Sequence, residues 1–234
     1  MVSYMLTMKE AIDVRQSRRS YLGTPLKAED VQALEACIKG VNEESGLSVQ
    51  LIQNSPETFA KSYCGIKGAN SFFAIVGNEE ETHLLEKVGY YGEKVVLEAT
   101  RLGLGTCWVS VTYDRDKCPC VIKKGQKLVI VIAVGEIAEE IMPDDEFARH
   151  LNHRSSRPIE YMYTAEGEPP AWFIEGMQAV AKAPSGLNAQ PVKFFYSPAK
   201  IFAYVDGVPV NQNIDLGIAE LHFEVGSGRK IFDK

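Results

Sequence analysis

The chain has 234 residues, 45% of them hydrophobic and 24% charged, with a formal net charge of −6 at pH 7. That is the composition of a globular protein with a substantial core, and its acid excess argues against nucleic acid as a partner, which calls for a basic surface. No apolar window is long enough for a membrane-spanning helix, and the opening MVSYMLTMKEAIDVR lacks the basic leader and apolar run of a signal peptide, so a cytoplasmic protein is expected.

Residues 8–16 read as a short helix that leads into RQSRRSY, 15–21, three arginines and two serines in seven positions of an acidic chain. A second helix opens at TPLKAED, with Val31, Leu34, Cys37 or Ile38, and Val41 at helical spacing. Lys39-Gly40 is expected to end or loosen it. LSVQLIQN alternates as a half-buried strand, and SFFAIVGN, 71–78, is an apolar run of strand length. Residues 81–103 form the longest helical stretch, with Leu84, Val88, Tyr91, Val95, Ala99 and Leu102 facing a core. KLVIVIAVG, 127–135, has five β-branched residues in nine, as in a strand covered on both faces. The charged, proline-bearing stretch 136–170 reads as a connector. Beyond it PPAWFIEGMQAVAKAP reads as a helix, VKFFYSP and KIFAYVDG as strands, and NIDLGIAELHFEVG as a closing helix.

The five cysteines, Cys37, Cys64, Cys107, Cys118 and Cys120, are odd in number and suggest free thiols rather than a disulfide framework. Cys118-Pro119-Cys120 lacks the two-residue gap and second pair of a structural zinc site, so no metal is expected. The histidines His83, His150, His153 and His222 fit no nucleophile–base arrangement. His222, on an apolar helix, reads as a satisfied core residue.

An ordered internal similarity runs through the chain. ACIKGVNEESGLSVQLIQNS (36–55) resembles AVAKAPSGLNAQPVKFFYSP (179–198), FFAIVG (72–77) resembles IFAYVD (201–206), and the helix with Gly92 matches the one with Gly217. Duplication is expected, with halves at 1–140 and 165–234 and a connector at 141–164. The copies have diverged: the first keeps RQSRRSY but carries Glu43 and Glu44 where the second keeps APSGLNAQP, 183–191.

Three motifs together resemble the FMN-dependent nitroreductase family, in the TM nitroreductase subgroup where one chain carries two nitroreductase-like halves. They are the Arg-x-Ser-x-Arg-x-aromatic loop (Arg15, Ser17, Arg19, Tyr21), Ala-Pro-Ser-x-x-Asn-x-Gln-Pro (Ala183, Pro184, Ser185, Asn188, Gln190, Pro191) and Leu-Gly-Leu-Gly-x-x-Trp (Leu102 to Gly105, Trp108). The Gly103-Leu104-Gly105 run is no dinucleotide fingerprint, since it follows a helix and lacks the third glycine.

The resemblance implies an α+β fold: a central, mostly antiparallel sheet flanked by helices, with an internal pseudo-two-fold. It implies one FMN site shared between the halves of a fused pseudo-dimer, in a monomer or a homodimer. Arg15, Gln16, Ser17 and Arg19 are the candidates for the phosphate and ribityl chain, where arginine forks suit phosphate oxygens. Arg154 and Arg157 are either further phosphate ligands or solvated surface. Pro184, Ser185, Gly186, Asn188 and Gln190 form the loop at the ribityl chain or ring edge. Trp108, Val109 and Ser110 are the stretch beside the flavin N5. Tyr90, Tyr91, Trp108 and Trp172 are candidates for pocket walls. The implied activity is ping-pong hydride transfer from NADH or NADPH to a small acceptor such as a nitroaromatic or quinone, with no catalytic side chain because the cofactor performs the chemistry. Ordinary members carry Pro-x-Glu-Gly where this chain has WVSV. A protein that sequesters or senses FMN without turnover is therefore a second reading.

Overall fold

The computed structural model describes residues 5–60, 65–138, 157–206 and 212–232. Thr7 opens the first helix, α1 (Met8–Val14), through a capping box: its hydroxyl accepts from the Glu10 N–H at 3.2 Å, and the Glu10 carboxylate accepts from the Thr7 N–H at 2.7 Å. Helix α2 (Ala28–Ser45) runs straight through Lys39-Gly40, where an end was expected. Gly40 is exposed, and one helical glycine costs only about 1 kcal/mol against alanine. Burial of Leu34, Ile38 and Val41 outweighs that. The helix stops at Gly46, whose φ of +71° makes a left-handed cap.

Strands β1 (Ser48–Ile52), β2 (Ser71–Asn78), β3 (Gly105–Val109) and β4 (Gln126–Gly135) form an antiparallel sheet in the order β1-β2-β4-β3. Seven consecutive residues of β2 are buried because both faces are covered. Phe73 and Ile75 meet the helices, while Phe72, Ala74 and Val76 meet Phe59 and Tyr113. Helix α3 (Leu84–Arg101) lies on the first face and is buried on most of its circumference.

The later part of the chain gives α4 (Ala171–Val180), α5 (Gln212–Ser227) and a second sheet. That sheet pairs β5 (Tyr163–Ala165) parallel to β6 (Val192–Tyr196), with β7 (Ile201–Val205) antiparallel on the other side. β5 corrects the plain connector expected over 136–170, since Tyr163 pairs with Phe194 and Ala165 with Tyr196. Phe173, Phe194 and Phe223 centre the packing of α4 and α5 on this sheet.

The two parts meet where α3 and α5 cross. A Cβ on Gly89 would lie 2.0 Å from the Ile214 carbonyl oxygen, and one on Gly217 would lie 1.9 Å from the Glu86 carbonyl oxygen. The contact is reciprocal: each glycine touches the residue three positions before the other. Gly89, rather than Gly92, therefore stands opposite Gly217. Gly92 instead makes room for the Trp108 ring, 2.5 Å from where its Cβ would be.

Candidate functional site

The arginine-rich segment leaves α1 in extended form. Ser17 bridges Thr106 of β3 in parallel, and the Arg18 N–H donates to the Thr106 carbonyl at 2.8 Å. β3 is an edge strand, and among the described residues this bridge is the pairing on its outer side. Further along, Lys67 takes up the Arg19 carbonyl and the Tyr21 N–H, and the Tyr21 hydroxyl donates to the Arg18 carbonyl at 2.7 Å.

The extended backbone turns the arginine side chains different ways. Arg18 is buried and reaches the Ala138 carbonyl at 3.4 Å. Gln16 is exposed, with Ser17 and Arg19 half-buried. The Arg15 side chain turns inward, 7% exposed. One of its terminal nitrogens donates to the Lys182 carbonyl at 3.3 Å, and Nε stands 3.7 Å from Glu93. That Nε is buried without a hydrogen-bond partner. Burial pulls the guanidinium down from its ordinary value, opposed by Glu93.

Lys182 also pairs with Asp13 at 2.5 Å and directly precedes Ala183. Arg15 thus abuts the entrance of APSGLNAQP, a motif far away in the chain.

The 183–191 loop is strained. Leu187, Asn188 and Gln190 have φ of 51°, 53° and 47°, a left-handed region unfavourable for residues with a Cβ. Three anchors hold it there. Ser185 Oγ accepts the Gln190 N–H at 3.0 Å. The Gln190 carboxamide donates to the Ala181 carbonyl at 3.2 Å and accepts the Arg157 N–H at 2.8 Å. Both Asp215 oxygens face the Gly186 N–H, at 3.1 and 3.2 Å. Burial pushes the Asp215 carboxyl up to about 6, against that N–H.

Gln190 therefore supports the loop from beneath. Pro184, Ser185 and Asn188 are half-buried and Gly186 is exposed at the surface, with Leu187 projecting at 89% exposure. Behind the loop a cavity of about 10 Å³, lined by Pro184, Ser185, Gln190 and Asp215, has room for no more than one water.

Trp108 and Val109 pair with Ile132 and Val131 of β4, and Ser110 follows, exposed. The Val109 side chain is buried in the second core, so only its backbone is available at the strand edge. The Trp108 indole N–H donates to Glu93 at 2.9 Å. Glu93 is wholly buried, and its other oxygen lies 2.9 Å from His222 Nε2, while His222 Nδ1 faces the Ala179 carbonyl at 3.1 Å. His222 is the satisfied core residue expected of it.

The structure corrects two of the four pocket-wall candidates, Tyr90 and Tyr91, while Trp108 and Trp172 are half-buried. Tyr90 and Tyr91 are core residues, Tyr90 donating to Glu224 at 2.5 Å. The Trp108 indole is tied to Glu93, and Trp172 packs on Phe173 and Phe223 with Arg229 over its ring. Arg154 lies outside the described residues, while Arg157 joins the loop through its backbone. Glu93 was missed in the sequence. Its signal is the run Val95-Val96-Leu97 just beyond it, too apolar for a helix with a single buried face.

The chain is an α+β fold with helices on an antiparallel sheet and an arginine segment beside a Pro-Ser-x-x-Asn loop. The family model described as "Putative TM nitroreductase" matches residues 7–227. The chain belongs to that family. It is similar to a Thermotoga maritima protein of the same description, with 21% identity and a TM-score of 0.65 over 97% of this chain and 86% of that one. A Bacteroides fragilis nitroreductase with bound FMN matches at 20% identity and TM-score 0.46, over 58% of this chain and 91% of that one. An FMN-dependent nitroreductase from Clostridium difficile matches at 17% identity and TM-score 0.44, over 60% and 94%. No curated protein matches the chain.

Proposed function

We propose that the chain is an FMN-dependent NAD(P)H oxidoreductase of nitroreductase type, with one FMN site built from two duplicated halves. The observation that carries this reading is the Arg15–Lys182 contact, which sets the amino-terminal cation against the carboxy-terminal loop. The donor set fits the cofactor: the Arg15 guanidinium reaches the loop entrance through a terminal nitrogen, and the outer face of a strained, polar loop adjoins it. The duplication accounts for the reciprocal Gly89 and Gly217 contacts and for matching helix–hairpin orders. The mirror position is closed, because α2 continues as helix to Ser45 where the second half has its irregular loop.

Arg15, Gln16, Ser17 and Arg19 would hold the phosphate and ribityl end, with Arg157 near it. Ser185 and Asn188 would offer hydroxyl and amide groups, Pro184 and Gly186 would present backbone, and Gln190 would keep the loop in shape. The edge of Trp108, Val109 and Ser110 would face the reactive side of the ring. Bound FMN supplies a ring that takes hydride from NADH or NADPH and passes electrons to a nitroaromatic, quinone or similar acceptor. The chain's own work is to bind and orient both partners.

The WVSV stretch, in place of the usual Pro-x-Glu-Gly, favours a second reading: an FMN carrier or sensor that does not turn over. An absorbance spectrum before and after anaerobic NADPH separates the two. The oxidoreductase is yellow, bleaches, and recovers colour with an added acceptor; a carrier stays yellow. One FMN per chain is expected. Arg15→Ala and Asn188→Ala should each weaken FMN binding roughly 10- to 100-fold, the loss of one charge-assisted or well-placed hydrogen bond. Two FMN per chain, or a colourless protein indifferent to added FMN, would refute the proposal.

A further inference from the structure

We infer that Glu93 and His222 are a positioning pair that holds two protons between them and so leaves the positive charge of Arg15 unneutralised for the anionic groups of the bound cofactor. This rests on the FMN reading above.

The argument begins at the ring. His222 is fully buried, and each of its nitrogens faces an oxygen: the Ala179 carbonyl at 3.1 Å and a Glu93 carboxylate oxygen at 2.9 Å. A carbonyl only accepts, so Nδ1 carries a proton. The Nε2 contact needs a second proton, since two lone pairs facing each other at that distance in a dry interior are strongly unfavourable. A carboxylate and a neutral imidazole sum to −1; the second proton brings the pair to zero. It is placed on the ring, because the carboxylate already accepts the Trp108 N–H on its other oxygen and so acts as the acceptor on both.

Glu93 therefore has its charge answered by His222, and Arg15 is not truly paired by it. Among the described residues, Glu93 is the one acid within 4 Å of Arg15, and its nearest approach is 3.7 Å, too long for a hydrogen bond. The cluster of Arg15, Glu93 and His222 carries one net positive charge in a buried place. Such a charge calls for an anion, and the terminal guanidinium nitrogen at the Lys182 carbonyl, not the buried Nε, is the end an anion can approach.

The same pair fixes geometry. Glu93 ties Arg15 of the arginine segment to Trp108 of β3, and His222 ties Glu93 to α5 and to the end of α4. Elements of both halves thus converge on one carboxylate.

The test is His222→Gln, which keeps a neutral N–H donor to Glu93 but removes one positive charge. With two protons in the wild-type pair, the variant cluster falls from +1 to zero. FMN affinity should drop about tenfold, and reduced FMN should lose more affinity than oxidised FMN. Each extra tenfold lowers the midpoint potential of the bound FMN by about 30 mV. FMN affinity within twofold of wild type, with an unchanged potential, would overturn the inference, because a one-proton pair predicts no charge change.

A second measurement does not depend on the variant folding or on FMN: ¹⁵N spectra of histidine-labelled, FMN-free protein at neutral pH. Protons on both His222 nitrogens support the inference, and a nitrogen without one sinks it. Failure of the wild type to bind FMN would instead defeat the reading of the site, with the proton count still decided by the ¹⁵N spectrum.

Discussion

Replacing Gly217 by alanine tests the packing where α3 and α5 cross. In an open helical position this change stabilises by about 1 kcal/mol, through backbone entropy and helix propensity. At Gly217 the new Cβ would sit 1.9 Å from the Glu86 carbonyl oxygen and 2.6 Å from the Tyr90 nitrogen. Both are backbone atoms, so no side chain can swing aside. Restoring ordinary contact near 3.4 Å requires α3 and α5 to part by roughly 1.5 Å. That separation loosens Val88, Tyr90, Ile214, Ile218 and Leu221 together. Overpacking of this kind costs about 3 kcal/mol. Net of the propensity gain, Gly217→Ala should destabilise by about 2 kcal/mol, a melting point lower by roughly 4–8 °C for a chain of this size.

Gly40→Ala is the control. It lies in an exposed stretch of α2 with no atom within 4 Å of the added Cβ, and should stabilise by about 1 kcal/mol. Gly89→Ala should match Gly217→Ala, and the double variant should cost less than the sum, since the first substitution already opens the gap the second needs. Urea unfolding followed by circular dichroism measures all four. A stabilising Gly217→Ala, or a fully additive double variant, would refute the close crossing.

Asp215 predicts a pH effect of known sign. Its folded value near 6 lies above the ordinary 3.8, so between those values the folded state binds more protons than the unfolded one, and stability falls as pH rises through the window. Asp215→Asn, which can still accept the Gly186 N–H, should flatten that decline and be more stable than wild type at pH 7 by up to about 3 kcal/mol; identical melting profiles from pH 4 to 7 would contradict it. Glu43→Ala, on the exposed side of α2 where we propose that the mirror site is closed, should leave FMN binding unchanged and stability within about 0.5 kcal/mol. A measurable loss of FMN would reopen the mirror site.

Much of the architecture could be read from residue patterns because burial writes itself into periodicity. β2 and β4 are apolar runs covered on both faces, and α3 keeps Leu84, Val88, Tyr91 and Val95 in register. What escaped was set by distant contacts. β5 is three residues of a charged stretch, and it is a strand only because β6 lies beside it. α2 outlasts Gly40 because its far turns are buried, which propensity alone does not reveal. In the candidate site, two of the motifs fall in segments that the fold brings into contact, yet the extended path beside β3 decides which arginine goes inward. No sequence pattern showed that Arg15 would face Glu93, or that three residues of the 183–191 loop would be left-handed.

The crossing of α3 and α5 also bears on motion. Two helices in backbone contact have no layer of side chains to slide on or to rearrange. The parts of the chain on either side are therefore pinned at a fulcrum that neither hinges nor shears easily. A ligand bound between them, as proposed, would meet walls of nearly fixed separation at this crossing.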